Sequence, residues 1–268
     1  MIDINQRPLS FSSLSNFAIS PLHYIKYITQ PKTTSPQMAL GSLVHTLILE
    51  PSEASKYIVS PKFDLRTKAG KEGKQEFEDS NVGKEIIDPD VWQTAKDMQE
   101  SVFSYIKAKS VLDSLVEAEK EFKLPIMGMP MRGFIDGLGN MGGGAVYTNP
   151  YIAELKTSQT SDPNEVPKDF FNKRYYIQAA VYTLALRELG IIGVSEYAPF
   201  MYIVVESKSP YIVSVFQADE KYIQYGISEL TRLLGEFNMW MQAGYPVSGY
   251  SKTGTDEIYT LGLPSWIK

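Results

Sequence analysis

Glu154-Leu155-Lys156 sets an acid and a base two residues apart, downstream of an aspartate bracketed by glycine in Gly133-Phe-Ile-Asp136-Gly137. On an extended strand successive side chains point to opposite faces, so Glu154 and Lys156 share one face while Leu155 turns to the other. Two carboxylates brought together can hold a divalent cation, which polarises a phosphodiester and lowers the pKa of bound water. The Lys156 ammonium would then orient or activate the attacking water. Asp136 is the expected partner carboxylate of Glu154. Further along, Gln178 and Tyr182 stand at i, i+4, which puts both polar groups on one face of a helix.

The tripeptide alone says little, because Glu-x-Lys occurs four times: Glu72/Lys74, Glu121/Lys123, Glu154/Lys156 and Glu206/Lys208. The first falls in a charged stretch that reads as a solvated surface, and the second and fourth read as exposed positions on strands. Only Glu154/Lys156 follows a strand carrying Asp136 and precedes a helix carrying Gln178 and Tyr182. A surface salt-bridge cluster is the plain alternative. His45 lies in an apolar helix, where a lone histidine is more often a hydrogen-bonded core residue than a ligand. His23 has no supporting context and reads as structural. Tyr175 and Tyr176, beside Lys173 and Arg174, either stack bases and touch phosphates or form an ordinary amphipathic helix.

These residues need elements to position them. Helical periodicity covers Ser12–Tyr27, with Ser20-Pro21 as a second start inside it, and Gln37–Leu49, which Pro51 ends. Further helices are expected over Pro89–Lys109, with Asp88 as N-cap, over Asp169–Leu189 and over Asp219–Ala243; Gly190 and Gly244 sit where C-caps favour glycine. Strand patterns cover Glu119–Leu124, Met129–Leu138, Tyr151–Thr157, and a hairpin of Met201–Glu206 with Tyr211–Phe216. The order predicts an α/β fold, a mixed central sheet flanked by helices, in a single domain over residues 1–268. Residues 63–83 read as an exposed arm or loop. Residues 245–268 read as a tail packed on the core through Tyr259, Leu261 and Trp266.

Composition bounds the chemistry. Of 268 residues 43% are hydrophobic and 21% charged, ordinary for a chain with a buried core. No run reaches the ~18 apolar residues of a membrane span, and the polar first residues lack an export signal, so a cytoplasmic protein is expected. With no cysteine, disulfides, thiolate zinc sites and iron–sulfur clusters are excluded, and two histidines exclude a histidine-rich metal site. A net charge of −5 argues against nonspecific coating of DNA but not against an enzyme that meets DNA inside a groove or ring.

Taken together, His45, Asp136, Glu154-Leu155-Lys156 and Gln178-x-x-x-Tyr182 resemble the PD-(D/E)XK nuclease superfamily in its RecB-like branch. The chain is similar to the RecE (exonuclease VIII) family of phage and prophage recombination systems. Gly41-x-x-x-His45 followed by Leu49-Glu50-Pro51, the segment Arg66-Thr67-x-Ala69-Gly70-Lys71-Glu72, Tyr176 with Gln178, and Leu263-Pro264-x-Trp266 match its patterns, over roughly Ser12 to Lys268. The resemblance implies a restriction-endonuclease-like core and a metal-dependent 5′-to-3′ exodeoxyribonuclease acting on linear double-stranded DNA. It implies that Asp136, Glu154, the Leu155 carbonyl and His45 hold Mg²⁺, with Mn²⁺ able to substitute. Lys156 would position the water, and Gln178 would orient Lys156 or the scissile phosphate. Arg66, Lys68, Lys71, Arg174 and Tyr182 would contact DNA. The implied partners are double-stranded DNA ends, a RecT-like single-strand annealing protein and further copies in a ring-shaped homo-oligomer, a tetramer by family analogy, with no membrane. A structure-selective endonuclease of the same fold and a non-catalytic DNA-binding subunit are the alternatives.

Overall fold

Serine or aspartate followed by proline starts three helices of this chain: Ser20-Pro21, Ser35-Pro36 and Asp88-Pro89. In each, the cap side chain accepts a backbone N–H of the first turn and the proline occupies a position whose N–H would be unpaired anyway. The computed structural model describes residues 7–31, 33–141, 147–247, 249–252, 258 and 260–263. It opens with α1 (Phe11–Phe17), α2 (Pro21–Thr29) and α3 (Pro36–Leu49), then a 3-10 turn over Pro51–Lys56. A small excursion follows, β1 (Tyr57–Val59), α4 (Lys68–Ser80) and β2 (Glu85–Ile87), in which β1 and β2 pair in parallel. After α5 (Pro89–Ser104) and α6 (Ile106–Asp113) come β3 (Leu115–Ile126), β4 (Met129–Asn140) and β5 (Pro150–Ser158). The chain then runs through α7 (Val166–Asn172), α8 (Tyr175–Glu188), β6 (Phe200–Glu206), β7 (Val213–Ala218) and α9 (Glu220–Gln242).

The main sheet has the order β3-β4-β5-β6-β7. Every pair is antiparallel except β5–β6, which are parallel and joined by the α7–α8 crossover. Two apolar layers cover it. One joins Leu14, Phe17, Tyr24, Ile177, Leu233 and Trp240 of α1, α2, α8 and α9 to Ile152, Phe200 and Tyr202 of the sheet. The other joins Leu43, Val44 and Leu47 of α3 and Met98 and Val102 of α5 to Leu155, Ile203 and Val205. Ile152 and Leu155 therefore face opposite layers, which leaves Glu154 and Lys156 on the α8 side.

One expectation is refined and three are corrected. Residues 63–83 are exposed, as expected, but carry the helix α4, started by Thr67, with no fully buried residue and a Phe63–Phe77 ring contact at 6.0 Å. The helix expected over Pro89–Lys109 breaks at Tyr105, whose extended backbone lets α6 turn and bury Ala108. That over Asp169–Leu189 breaks at Arg174, left-handed at φ 57°, so that Phe170 and Tyr175 can pack edge to face at 4.9 Å. In the tail, Tyr245 packs on the core and Lys252 pairs with Glu236, but Leu261 is exposed; Tyr259, Pro264 and Trp266 lie outside the described residues. The glycine-rich connection after Asn140 is likewise outside them from residue 142 to 146.

Two glycines on α9 show how tightly α8 and α9 cross. A Cβ at Gly226 would stand 2.0 Å from the Tyr176 carbonyl oxygen, whereas at Gly235 it would meet nothing within 4 Å. Gly226→Ala is expected to lower stability by about 1–3 kcal/mol or more through overpacking, and Gly235→Ala to raise it by about 0.5–1 kcal/mol through helix propensity. Urea unfolding of the two variants, which should move in opposite directions, checks this.

Candidate active site

The β4–β5 ladder stops at the Gly137–Ala153 pair. Beyond it the strands part, and the N–H of Leu155, which would have bonded β4, instead donates to Asp136 Oδ2 at 2.9 Å. The aspartate side chain thus substitutes for the missing backbone pairing and is held in the opening. Glu154, on the same side of β5 as Lys156, accepts from Lys156 Nζ at 2.7 Å and from Gln178 Nε2 at 2.6 Å, both through Oε1. Gln178 also reaches the Tyr182 hydroxyl at 3.1 Å, as the i, i+4 spacing on α8 requires.

His45 arrives from α3 on the other side. Gly41, one turn earlier, faces Thr157, and a Cβ there would come within 3.1 Å of its hydroxyl oxygen. The glycine lets α3 lie against β5, so His45 Nε2 stands 3.0 Å from Asp136 Oδ2. The ring's Nδ1 is 3.4 Å from Glu119 Oε1. Glu119 belongs to β3, between the Ala118–Gly137 and Lys120–Ile135 pairs, hence opposite Asp136. Sequence reasoning missed it, reading only strand alternation in β3; its one signal is a position that only the β3–β4 register reveals.

Burial, with the carboxylates crowded beside one another, sets the electrostatics. Burial, then the charge of Asp136, pushes the Glu154 carboxyl up to about 7. Burial pushes Glu119 up to about 7, with Asp136 adding to the rise and His45 opposing it. Burial alone would lower His45, but the hydrogen bond and charge of Asp136 and the charges of Glu119 and Glu154 raise it to about 9. Burial is likewise overridden at Lys156 by Glu154, Tyr175 and Asp136, which hold it above its ordinary value as an ammonium. Its Nζ sits 4.6 Å over the Tyr175 ring.

Without a metal, then, a protonated His45 and Lys156 supply the positive charge. A divalent cation would fit beside them, with His45 turning from a proton carrier to a ligand. Glu154 Oε2 and Gln178 Oε1 are buried with no hydrogen-bond partner, two acceptors left for an added positive charge. The 3.0 Å between His45 Nε2 and Asp136 Oδ2 matches the spacing of adjacent ligands around an octahedral ion with bonds of ~2.1 Å. Two carboxylates with one imidazole are a donor set suited to a divalent cation.

The expected residues Asp136, Glu154, Leu155, Lys156, Gln178 and His45 therefore come together. Tyr182 does not face DNA: it is 6% exposed and stands behind Gln178 as its support. Tyr176 is buried and Tyr175 stacks on Tyr202 at 6.3 Å, so these rings pack inward rather than presenting a platform for bases. Arg66, Lys68 and Lys71 are exposed at the start of α4, and Arg174 is half-buried; no hydrogen bond or ion pair among the described residues ties them to the cluster. His23 bonds the Ser20 cap hydroxyl at 2.8 Å, a structural role. Glu206, read as exposed, is half-buried and accepts the Ser161 N–H at 2.9 Å.

A mixed sheet with a parallel crossover, an aspartate on β4 and acid-x-lysine on β5, flanked by helices, is the restriction-endonuclease-like class of α/β fold. The chain belongs to the family described as PDDEXK-like domain of unknown function (DUF3799), whose model matches residues 10–249. Among solved structures it is similar to a protein of Eubacterium rectale described provisionally as an exonuclease, at 12% identity and TM-score 0.60 over 97% of this chain and 92% of that one. The structure of SSO0001 matches at 12% identity and TM-score 0.27 over 72% and 85% of the two chains. No curated protein matches the sequence. Among the described residues no helix is long and apolar enough to cross a membrane.

The shifts set a pH dependence. Glu119, Glu154 and His45 all have folded values above their ordinary ones, so the metal-free native state keeps protons that the unfolded chain releases. The stability contributed by these three groups is fullest below pH 4.5 and is lost as pH rises, first toward about 7 through the glutamates, then from 6.5 toward about 9 through His45. A bound cation replaces those protons. The rise in melting temperature on adding Mg²⁺ or Mn²⁺ is therefore expected to grow across this window; calorimetric scans at its two ends measure it.

Proposed function

We propose that the protein is a metal-dependent exodeoxyribonuclease that degrades one strand of linear double-stranded DNA in the 5′-to-3′ direction. It would leave 3′ single-stranded tails for recombination by strand annealing. The observation that carries the reading is the convergence of Asp136, Glu154 and Lys156 in the opening between β4 and β5, with Gln178 bonded to Glu154. PDDEXK-like membership supports nuclease chemistry, and the likeness to a protein described provisionally as an exonuclease agrees with action at ends.

Asp136, Glu154, the Leu155 carbonyl and His45 would hold the cation. When bound, a divalent ion supplies a Lewis acid and an activated water for attack on phosphorus. Lys156, fixed by Glu154 and the Tyr175 ring, presents an ammonium to that water or to the phosphate oxygens. Gln178 holds one Glu154 oxygen so that the other faces the cation. Arg66, Lys68 and Lys71 cluster at the N-terminal end of α4, where exposed N–H groups and the helix dipole favour an anion, and suit a phosphate at a DNA end; Arg174 is the further proposed contact. A RecT-like annealing protein, a cytoplasmic setting and a ring-shaped homotetramer that keeps basic residues toward a channel complete the proposal. The ring would reconcile a net charge of −5 with DNA binding.

Digestion of linear duplex DNA beside a covalently closed circle tests this. With Mg²⁺ the linear DNA should be lost and the circle spared, and a 5′ label should be released before a 3′ label. Glu154→Ala and Lys156→Ala should each slow digestion by on the order of 10²–10⁴-fold. Cleavage of the circle would move the assignment to a structure-selective endonuclease, and no cleavage with any divalent ion to a DNA-binding subunit.

A further inference from the structure

We propose that Glu119 is the positioning residue of His45, accepting its Nδ1–H and thereby aiming Nε2 at the cation position beside Asp136. The inference rests on the metal-dependent reading of the same site. The imidazole lies between two carboxylates, with Nε2 3.0 Å from Asp136 and Nδ1 3.4 Å from Glu119. One ligand atom each from His45, Glu119 and Asp136 lie within 4.8 Å of one another, so all three gather at one cation position, but Glu119 Oε1 approaches Nδ1, the nitrogen turned away from Asp136. Nε2, next to Asp136, is the ligating atom. A neutral imidazole has a single N–H, which must then sit on Nδ1. Metal-bound histidines usually donate that second N–H to a carboxylate or carbonyl, which fixes both tautomer and ring orientation.

Glu119 is placed for this task. Its Oε1 is buried and has no hydrogen bond of its own among the described residues, so it is a vacant acceptor. The residue also holds φ 52° within β3, a left-handed conformation that a non-glycine side chain seldom adopts in a strand. Such a conformation persists only where the surroundings dictate it. Here it sets the carboxylate against the imidazole, directly across the ladder from Asp136.

The chain has two histidines, so the nitrogen resonances of His45 can be assigned without crowding. The experiment compares wild type, Glu119→Gln and Glu119→Gly by Mg²⁺ calorimetry and by long-range ¹⁵N–¹H NMR of the imidazoles. In the Mg²⁺-loaded wild type His45 should carry its proton on Nδ1. Glutamine, whose amide oxygen still accepts, should keep affinity within a few-fold. Glycine suits the left-handed backbone but has no acceptor; its affinity should fall about 10–100-fold, with the Nδ1–H preference lost and the metal-free melting temperature no lower than wild type. A loaded wild type protonated on Nε2 overturns the inference, as does a glycine variant that binds like wild type. Equal losses in both variants overturn it too, in favour of Glu119 as a charged ligand. A wild type that binds no divalent cation overturns the nuclease reading itself, and the role of Glu119 with it.

Discussion

The arrangement depends on where the β4–β5 ladder ends. Paired strands satisfy their own backbone groups and leave no room between them; at Gly137 and Ala153 the pairing stops, and Asp136 takes the N–H of Leu155 instead. That single hydrogen bond does two things. It satisfies a buried donor that would otherwise cost about 1–3 kcal/mol, and it fixes a carboxylate at the mouth of the gap. Had the ladder continued, the Leu155 N–H would have gone to β4 backbone and no opening would exist.

A gap lined by Asp136, Glu154 and Glu119 is unstable by itself, because low dielectric strengthens repulsion among like charges. The fold answers with two positive charges and one neutral donor. Lys156 comes from the same strand, His45 from α3 across the gap, and Gln178 donates a neutral N–H from α8. The two apolar layers make this possible by pinning α3 and α8 to opposite faces of the sheet, so that their polar side chains meet only at its broken edge. Burial raises Glu119 and Glu154, and the neighbouring carboxylates raise His45, so the cluster holds protons near neutral pH.

Outside the core the chain is organised differently. α4 buries nothing and forms the crossover between the parallel strands β1 and β2, whose Tyr57 and Ile87 pack against the α3–α5 layer. A helix that contributes no core and concentrates cations at its start has little structural reason for its sequence. This contrast separates the part of the molecule that assembles the carboxylate cluster from an exposed part with basic residues at its start.

Much of this was written in local sequence. Cap-and-proline pairs at Ser20, Ser35 and Asp88 start helices through interactions within one turn, and strand alternation alone assigns Glu154 and Lys156 to one face. The resemblance of His45, Asp136 and Gln178 to a known pattern completed most of the site. Local sequence could not place Glu119, because its role depends on β3 pairing with β4 in one register and on a left-handed backbone that no side-chain pattern announces. Nor could it tell that Tyr175, Tyr176 and Tyr182 turn inward, since an aromatic beside a basic residue reads the same on a wet surface as in a packed layer. Which face is buried, where a ladder ends and which charges are forced together are properties of elements distant in sequence, and only the tertiary structure decides them.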